Sequence, residues 1–275
     1  MDLARLIDKL RTMGIPKHIL KYVFFMLYER TVKIKVNNSL SDSVKVSKGI
    51  LQGSHSGPLL INIFMNDIFG LELFSEIDLY ADDIRIYKNV NSPFDQFKIN
   101  YDLTLVHEWL TMNGLIMNID KTDYIKFKLG SLGFNYEYNI NGLSIRKVTV
   151  VKHLGVYYDS KLTFGDHIRI ILKKAFKTLG FIHRVTYNFS DIQCIIYLFR
   201  SLVMPNLLYC SPIWSPYLGY QIKSLESVQR KFIRFLSFKT DTPMSTYDHD
   251  YHLLSEKLNL HTIYSIHRYN DVLLV

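Results

Sequence analysis

Ile77-Asp78-Leu79-Tyr80-Ala81-Asp82-Asp83-Ile84-Arg85-Ile86-Tyr87 places two short alternating, β-branched runs on either side of the four residues Tyr80-Ala81-Asp82-Asp83. Two strand-like runs with acidic residues between them predict a hairpin carrying carboxylates at its tip. Neighbouring acids in an apolar setting repel one another unless a cation or hydrogen-bond donors intervene. The usual cation is Mg²⁺, a hard ion that takes oxygen ligands and leaves room for substrate phosphates. Paired carboxylates holding two such ions about 3.5–4 Å apart are the common machinery of nucleotidyl transfer. A lone Asp-Asp is more often a polar turn, so the segments around it have to decide.

Composition narrows the choice. The chain has 275 residues, 48% of them hydrophobic and only 7 of them Pro, which suits one large or two modest globular domains rather than a disordered chain. Cys194 and Cys210 form neither a metal spacing nor a disulfide framework, and no disulfide partner is expected. That usage suits a reducing, intracellular setting, nuclear or cytoplasmic. The first residues lack the apolar region of a signal peptide. Residues 195–214 look apolar enough for a membrane span, but Arg200 inside them costs roughly 2.5–3.5 kcal/mol at mid-bilayer and Pro205 interrupts them. A buried helix and a turn are expected there, and no membrane contact. The net charge is +8, and residues 165–240 carry 11 Lys or Arg against 3 acids, while the rest of the chain balances at 22 against 22. The whole excess lies in one stretch, which points to a polyanionic partner for it.

Upstream of the acidic stretch, Leu3, Leu6, Ile7 and Leu10 predict an amphipathic helix over 2–13, and Gly14-Ile15-Pro16 breaks it before a second helix over 17–29. Residues 31–36 alternate, Asn37-Asn38-Ser39 turns the chain, and 44–46 is the return strand. Gly49, Gly53 and Gly57 then punctuate a loop that ends at Pro58 and opens an apolar helix over 59–69. Glycines permit close backbone approach to a ligand, and Gln52 offers a donor and an acceptor to a base or sugar. Gly and Pro at a loop-to-helix junction are, equally, ordinary turn chemistry.

Downstream, 93–112 reads as a helix, 124–127 as a strand and 134–158 as a hairpin with an Asn141-Gly142 turn. Lys121 follows a turn and precedes a strand, where spacing alone favours a solvated surface lysine. After residue 165 the period changes. Ile168, Leu172, Ala175, Leu179 and Ile182 form one core stripe, with Arg169, Lys173, Lys177 and Arg184 on another face. A second helix, over 221–236, buries Leu225, Val228, Phe232 and Phe235 and turns Arg230, Lys231 and Arg234 elsewhere. Basic helix faces are usually just solvated, but two in succession that hold the entire net charge favour phosphate contacts. Asp248-His249-Asp250-Tyr251-His252 imitates a metal cluster without partner ligands nearby in sequence. By periodicity alone the fold class is α+β, with an antiparallel sheet centred on the acidic hairpin and helices throughout after residue 165.

The order of these segments resembles the reverse transcriptase of non-long-terminal-repeat (LINE-like, jockey-type) retrotransposons over nearly the whole chain. Residues 49–67 look like that family's GVPQGSxLGPLLFxIYINDL block, 79–83 its LYADD, 114–122 its GLxLNxxKT and 153–159 its YLGVxLD. Residues 203–214 look like its VxPxLxYxSxxW and 228–232 its QRKF helix. Leu51, Ser56 and Asn62 depart from the pattern.

The resemblance implies a partial polymerase palm over 1–160, an antiparallel sheet with packed helices, followed by an α-helical thumb over 161–275. It implies RNA-directed DNA polymerisation, with Asp82 the main Mg²⁺ ligand and Asp83 its partner. Gln52, Gly53 and Tyr80 would line the nucleotide and template site, and Lys121 would protonate the departing pyrophosphate, against the reading from spacing. Arg169, Lys173, Lys177, Arg184, Arg230, Lys231 and Arg234 would touch the nucleic-acid backbone. The partners implied are an RNA template, a DNA primer and dNTPs. The family's first catalytic Asp, on an FDxV strand, falls by this register about two residues before Met1. A fragment inactive by itself is therefore the expectation. The alternatives are a non-catalytic nucleic-acid-binding remnant and a decayed relic that never accumulates.

Overall fold

The computed structural model describes residues 2–46, 49–51, 53–127, 136–240 and 248–273, the last without the side chains of 248–250 and 252. They form two compact units, one from 1–123 with 133–147 and one from 124–132 with 148–275.

The first unit opens with α1 (Leu3–Thr12), whose N-terminus is capped by the Asp2 carboxylate accepting the Arg5 N–H at 3.2 Å. After Gly14-Ile15-Pro16 comes α2 (Lys17–Leu27). Four short strands follow, β1 (Arg30–Val32), β2 (Lys35–Val36), β3 (Ser39–Leu40) and β4 (Val44–Val46), with β1 paired to β4 and β2 to β3, all antiparallel. The alternation at 32–36 is real, yet Val32, Ile34 and Val36 are all exposed. Next are α3 (Gly57–Met65), a 3₁₀ turn (Asn66–Gly70), β5 (Glu76–Tyr80), β6 (Asp83–Tyr87) and α4 (Pro93–Met112). Ser92 and Asp95 start α4 as a reciprocal capping box, and Pro93 sits at its first position. A 3₁₀ turn (Ile119–Lys121), β7 (Asp123–Ile125), β8 (Asn139–Ile140), β9 (Leu143–Ser144) and β10 (Arg146–Val148) continue the chain, and β8 and β9 pair around Asn141-Gly142 as the sequence predicts. Leu6, Leu10, Leu60, Phe64, Val106 and Trp109 form the heart of this unit's core.

The sequence places the acidic hairpin at the centre of an antiparallel sheet. In the structure every sheet among the described residues has two strands, and β5 and β6 pair only with each other. Most of the other strands are two to four residues long and close on near neighbours in sequence, where loop closure costs the least entropy. The hairpin is held by its apolar face instead. Ile77, Leu79, Ile84 and Ile86 pack on the core that contains Val106 and Trp109.

The second unit begins with β11 (Val150–His153) and β12 (Val156–Asp159), an antiparallel hairpin. Every element described after it is helical: α5 (Gly165–Val185), α6 (Ile192–Leu198), a π turn (Phe199–Val203), α7 (Met204–Leu208), α8 (Ser211–Trp214), α9 (Gly219–Lys239), α10 (Asp248–Lys257) and α11 (Ile263–Leu273). The two long helices run side by side in the same direction. Near their starts Gln221 donates to the Thr163 carbonyl at 3.4 Å, and past their ends Lys239 donates to the Tyr187 and Phe189 carbonyls at 2.8 Å. The apolar stretch 195–214 is broken into four short helical pieces, and no helix among the described residues is long and apolar enough to cross a membrane. Cys194 and Cys210 are half-buried free thiols. The 150–159 hairpin packs with the helices of this unit, Val156 entering their core at 1% exposure.

Candidate active site and nucleic-acid interface

The β5–β6 register is regular along its length. Glu76 faces Tyr87, Asp78 faces Arg85 and Tyr80 faces Asp83 on the exposed side, while Ile77–Ile86 and Leu79–Ile84 form the packed side. Ala81 and Asp82 make the two-residue turn, Ala81 in the left-handed region at φ 56°. Alternation thus puts Asp83 on the polar face and Asp82 at the tip, both exposed. Among the described residues neither carboxylate accepts a hydrogen bond or joins an ion pair, so their oxygens are open to a hard cation. Tyr80 is 62% exposed beside them. The polar face is acidic enough to be felt along its length. A hydrogen bond from the Tyr87 hydroxyl to Glu76, then partial burial and the charges of Asp78 and Glu76, hold that phenol above its ordinary pKa.

The glycine loop is built by its own contacts. The Ser54 hydroxyl donates to the Leu51 carbonyl at 2.9 Å and accepts the Gly57 N–H at 3.0 Å. Gly57 is closely enclosed, since a Cβ there would meet Ser54 Oγ at 3.0 Å and Ile50 Cγ2 at 3.3 Å. The close approach expected for a ligand is, at this glycine, an approach of the loop to itself. Gly53 lies at φ +81° with open space around it. Gln52 falls outside the described residues.

Lys121 is exposed at the end of its 3₁₀ turn. Asn118 makes that turn by accepting the Lys121 N–H at 3.3 Å, with Thr122 Oγ1 donating to the Asn118 carbonyl at 2.9 Å. An open depression of about 650 Å³ lies alongside, lined by Ile116, Met117, Asn118, Ile119, Asp120, Leu143 and Ser144. Among the described residues no three His, Cys, Asp or Glu side chains gather as a metal-binding set. In the 248–252 stretch only the Tyr251 side chain is described near its helix start, and it is buried.

In the second unit the structure brings most of the predicted cations onto adjoining helices. Lys173, Lys177 and Arg184 are exposed on α5, and Lys231 and Arg234 on α9. The helices meet where the Lys231 ammonium lies 5.5 Å over the Phe176 ring and His183 stacks on Phe235 at 4.0 Å. Burial, and then the nearby Lys231 charge, keep His183 below the ordinary imidazole pKa. Arg169 is exposed but paired with Asp166 at 2.6 Å. Arg230 differs from its neighbours. It is half-buried, with its guanidinium 5.0 Å over the Tyr251 ring. Tyr251 in turn donates to Glu226, which also accepts the Tyr264 N–H, both at 2.9 Å. This cluster ties α10 and α11 to α9.

In the sequence Asp159 stands at the end of the 153–159 block with no role of its own. Its carboxylate accepts the N–H groups of Lys161, Thr163 and Phe164 and the Thr163 hydroxyl, so one side chain forms the corner from β12 into α5. An Asp with Thr four residues on, just before a helical period, was the available signal.

Comparison with known proteins agrees with the segment order. The model of the family described as reverse transcriptase (RNA-dependent DNA polymerase) matches residues 1–182. The chain is 25% identical over 235 residues to the RNA-directed DNA polymerase from mobile element jockey of Drosophila melanogaster, covering 81% of this chain and 25% of that protein. It is 29% identical over 194 residues to a retrovirus-related Pol polyprotein from a type-1 retrotransposable element of Nasonia vitripennis, covering 66% and 58%. With the probable RNA-directed DNA polymerase from transposon BS of Drosophila melanogaster it shares 26% over 248 residues, covering 86% and 27%. The chain therefore spans between a quarter and somewhat over half the length of these relatives.

Proposed function

The chain belongs to the reverse transcriptase (RNA-dependent DNA polymerase) family of retrotransposons, and from that membership we propose that its β5–β6 hairpin is the metal-holding corner of an RNA-directed DNA polymerase site. One observation carries the reading: Asp82 and Asp83 stand exposed at the tip of a regular hairpin with no hydrogen-bond or ion-pair partner among the described residues. Adjacent unpartnered carboxylates whose strands are held by a packed apolar face suit Mg²⁺, which binds through one or two carboxylates together with substrate phosphates. Bound there, Mg²⁺ supplies neutralisation of the charge that develops as a primer 3′-hydroxyl attacks the α-phosphate of a dNTP and pyrophosphate leaves.

The other residues take supporting parts. Asp82 is the main ligand and Asp83 its partner. Tyr80, Gly53 and Gln52 border the nucleotide, and Lys121, exposed and unpaired among the described residues, gives a proton to the departing pyrophosphate. Residues 1–160 act as the palm and 161–275 as the thumb, whose exposed cations on α5 and α9 hold the template–primer duplex by its phosphates. The free thiols of Cys194 and Cys210 support an intracellular setting.

A two-metal site needs carboxylates on both sides of the ion pair, and Asp82 with Asp83 provides one side. The second reading, a binding protein without turnover, is favoured by the +8 excess on residues 165–240. Divalent-ion binding separates the two. Mn²⁺, a paramagnetic stand-in for Mg²⁺, should broaden the resonances of residues 80–84 once a primer–template and a dNTP are present, and Asp82→Asn should remove the effect. Nucleic-acid binding without any such broadening would favour the second reading.

A further inference from the structure

The C-terminal ends of α5 and α9 carry exposed rings among their cations. Phe181 follows Lys177 by one turn and precedes Arg184 by three residues, and Phe238 follows Arg234 by one turn. Each ring therefore lies on the helix face of its neighbouring cations. Tyr187 and Phe189 stand in the loop just after α5. Tyr187 is 79% exposed and Phe238 77%, and Phe181 and Phe189 are exposed as well. None of the four belongs to the core, which these helices fill with Leu179, Ile182, Phe232 and Leu236. Single exposed apolar side chains are ordinary. Four aromatic rings at one end of two adjoining helices are a patch that calls for a partner.

The backbone under the patch is fixed. Thr186 is buried and its hydroxyl donates to the Ile182 carbonyl at 2.8 Å, while the Phe189 N–H donates to the Thr186 carbonyl at 3.0 Å. The Lys239 ammonium, one residue past Phe238, donates to the Tyr187 and Phe189 carbonyls at 2.8 Å and lies 5.8 Å over the Phe235 ring. One cation thus ties the loop that carries two of the rings to the helix turn that carries a third. Rings on a fixed backbone lose little freedom when a ligand stacks on them.

The surrounding charge selects the partner. Lys177, Arg184, Lys231 and Arg234 are exposed and have no ion-pair partner among the described residues. The three acids of residues 165–240 are all engaged. Asp166 pairs with Arg169, Asp191 caps α6, and buried Glu226 accepts from Tyr251 and Tyr264. An apolar protein face laid on the patch would take water from these cations and give them nothing in return. A nucleic acid meets both demands, with phosphates for the cations and base faces for the rings. In a duplex the base faces are already stacked on one another, so the rings select an unpaired strand.

We propose that Phe181, Tyr187, Phe189 and Phe238 form a stacking platform for the bases of a single-stranded nucleic acid whose phosphates Arg184 and Arg234 hold. The proposal deepens the phosphate-contact reading of α5 and α9 given above and rests on it. It is independent of Asp82 and of any metal.

The test titrates the full 275-residue chain with three labelled probes of one mixed sequence: an RNA single strand, a DNA single strand and the duplex. Tyr187→Leu combined with Phe238→Leu keeps apolar bulk and removes two ring faces. It should weaken single-strand binding about fivefold or more, with duplex affinity and urea midpoint unchanged. Tyr187→Phe combined with Phe238→Tyr keeps both rings and should bind as wild type does. A loss confined to the RNA strand makes RNA the ligand, one confined to the DNA strand makes it DNA, and a loss on both marks a platform indifferent to the sugar; each supports the proposal. Equal losses on single strands and duplex overturn it. So does unchanged single-strand affinity in the Leu variant, which would leave the patch to a protein partner. A wild type that binds the duplex and neither single strand overturns this inference while the phosphate reading stands. Binding to none of the three overturns the phosphate reading, and this inference with it.

Discussion

Lys9 on α1 reaches Asp67 at 2.7 Å, and the same ammonium donates to the Phe64 carbonyl at 2.6 Å while lying 4.3 Å over the Phe64 ring and 5.0 Å over that of Trp109. One side chain thus joins α1, the end of α3 and α4, the helices beneath the acidic hairpin. The two partners are unequal. Lys9 is 16% exposed and Asp67 50% exposed. Asp67→Asn removes a largely solvated charge and should cost roughly 0–1 kcal/mol. Lys9→Met strips the Phe64 carbonyl of a charged donor and should cost roughly 1.5–3 kcal/mol. Urea unfolding of both variants checks this, and equal losses would show that the ion pair, rather than the carbonyl contact, carries the interaction.

The basic helices should divide into cations that bind and one that braces. Each phosphate contact contributes about 0.9 to the slope of log affinity against log salt for duplex DNA. Replacing exposed Lys177 and Lys231 together by Ala should lower the slope by about two and leave stability nearly unchanged. Arg230→Ala should do the reverse, lowering the urea midpoint with the slope retained, because its guanidinium lies over buried Tyr251. Fluorescence titrations at several salt concentrations provide the comparison. A salt-insensitive affinity would remove the phosphate-binding role.

That division marks where sequence reading reaches its limit. The 3-4 period after residue 165, the helix read over 93–112 and the Asn141-Gly142 turn are local signals, and each lies in the structure where the sequence puts it. The hairpin with Asp82 at its tip was legible for the same reason, since alternation is a two-residue property. Arg230 could not be told from Lys231, because what separates them is Tyr251, about twenty residues further on. Likewise Gly155 reads as turn chemistry until Tyr209 lies against it. Sheet extent was not legible either, because strand partnership depends on which edges meet and not on the period of any one strand.

Acid should loosen the second unit. His167 is 2% exposed, accepts the Tyr157 N–H through Nδ1 and meets Trp214 edge-on at 4.8 Å. Burial, and then the Lys174 charge, lower its pKa from 6.5 to about 4. Buried His267, across the Trp214 ring at 5.0 Å, is lowered in the same sense, chiefly by burial. Above pH 6.5 the imidazole is neutral in folded and unfolded chains alike. As pH falls from 6.5 toward 4 the unfolded chain takes up a proton that the folded one refuses, so stability is lost through that window. Between pH 7 and pH 5 the loss from His167 alone should be roughly 2 kcal/mol. Urea midpoints at the two values measure it, and His167→Gln should flatten the dependence. Coincident wild-type midpoints would refute the buried neutral imidazole.

The central claim is that Asp82 holds catalytic metal, and RNA-templated primer extension with Mg²⁺ tests it most directly. Three proteins are compared: this chain, this chain joined to an upstream strand bearing the family's further Asp, and the joined form with Asp82→Asn. The joined form should incorporate dNTPs. Asp82→Asn should slow it about a thousand-fold, or roughly 4 kcal/mol of transition-state stabilisation, with the primer–template still bound. Extension by the Asp82→Asn protein at the rate of its parent would contradict the account, because the hairpin carboxylate would then have no part in the chemistry.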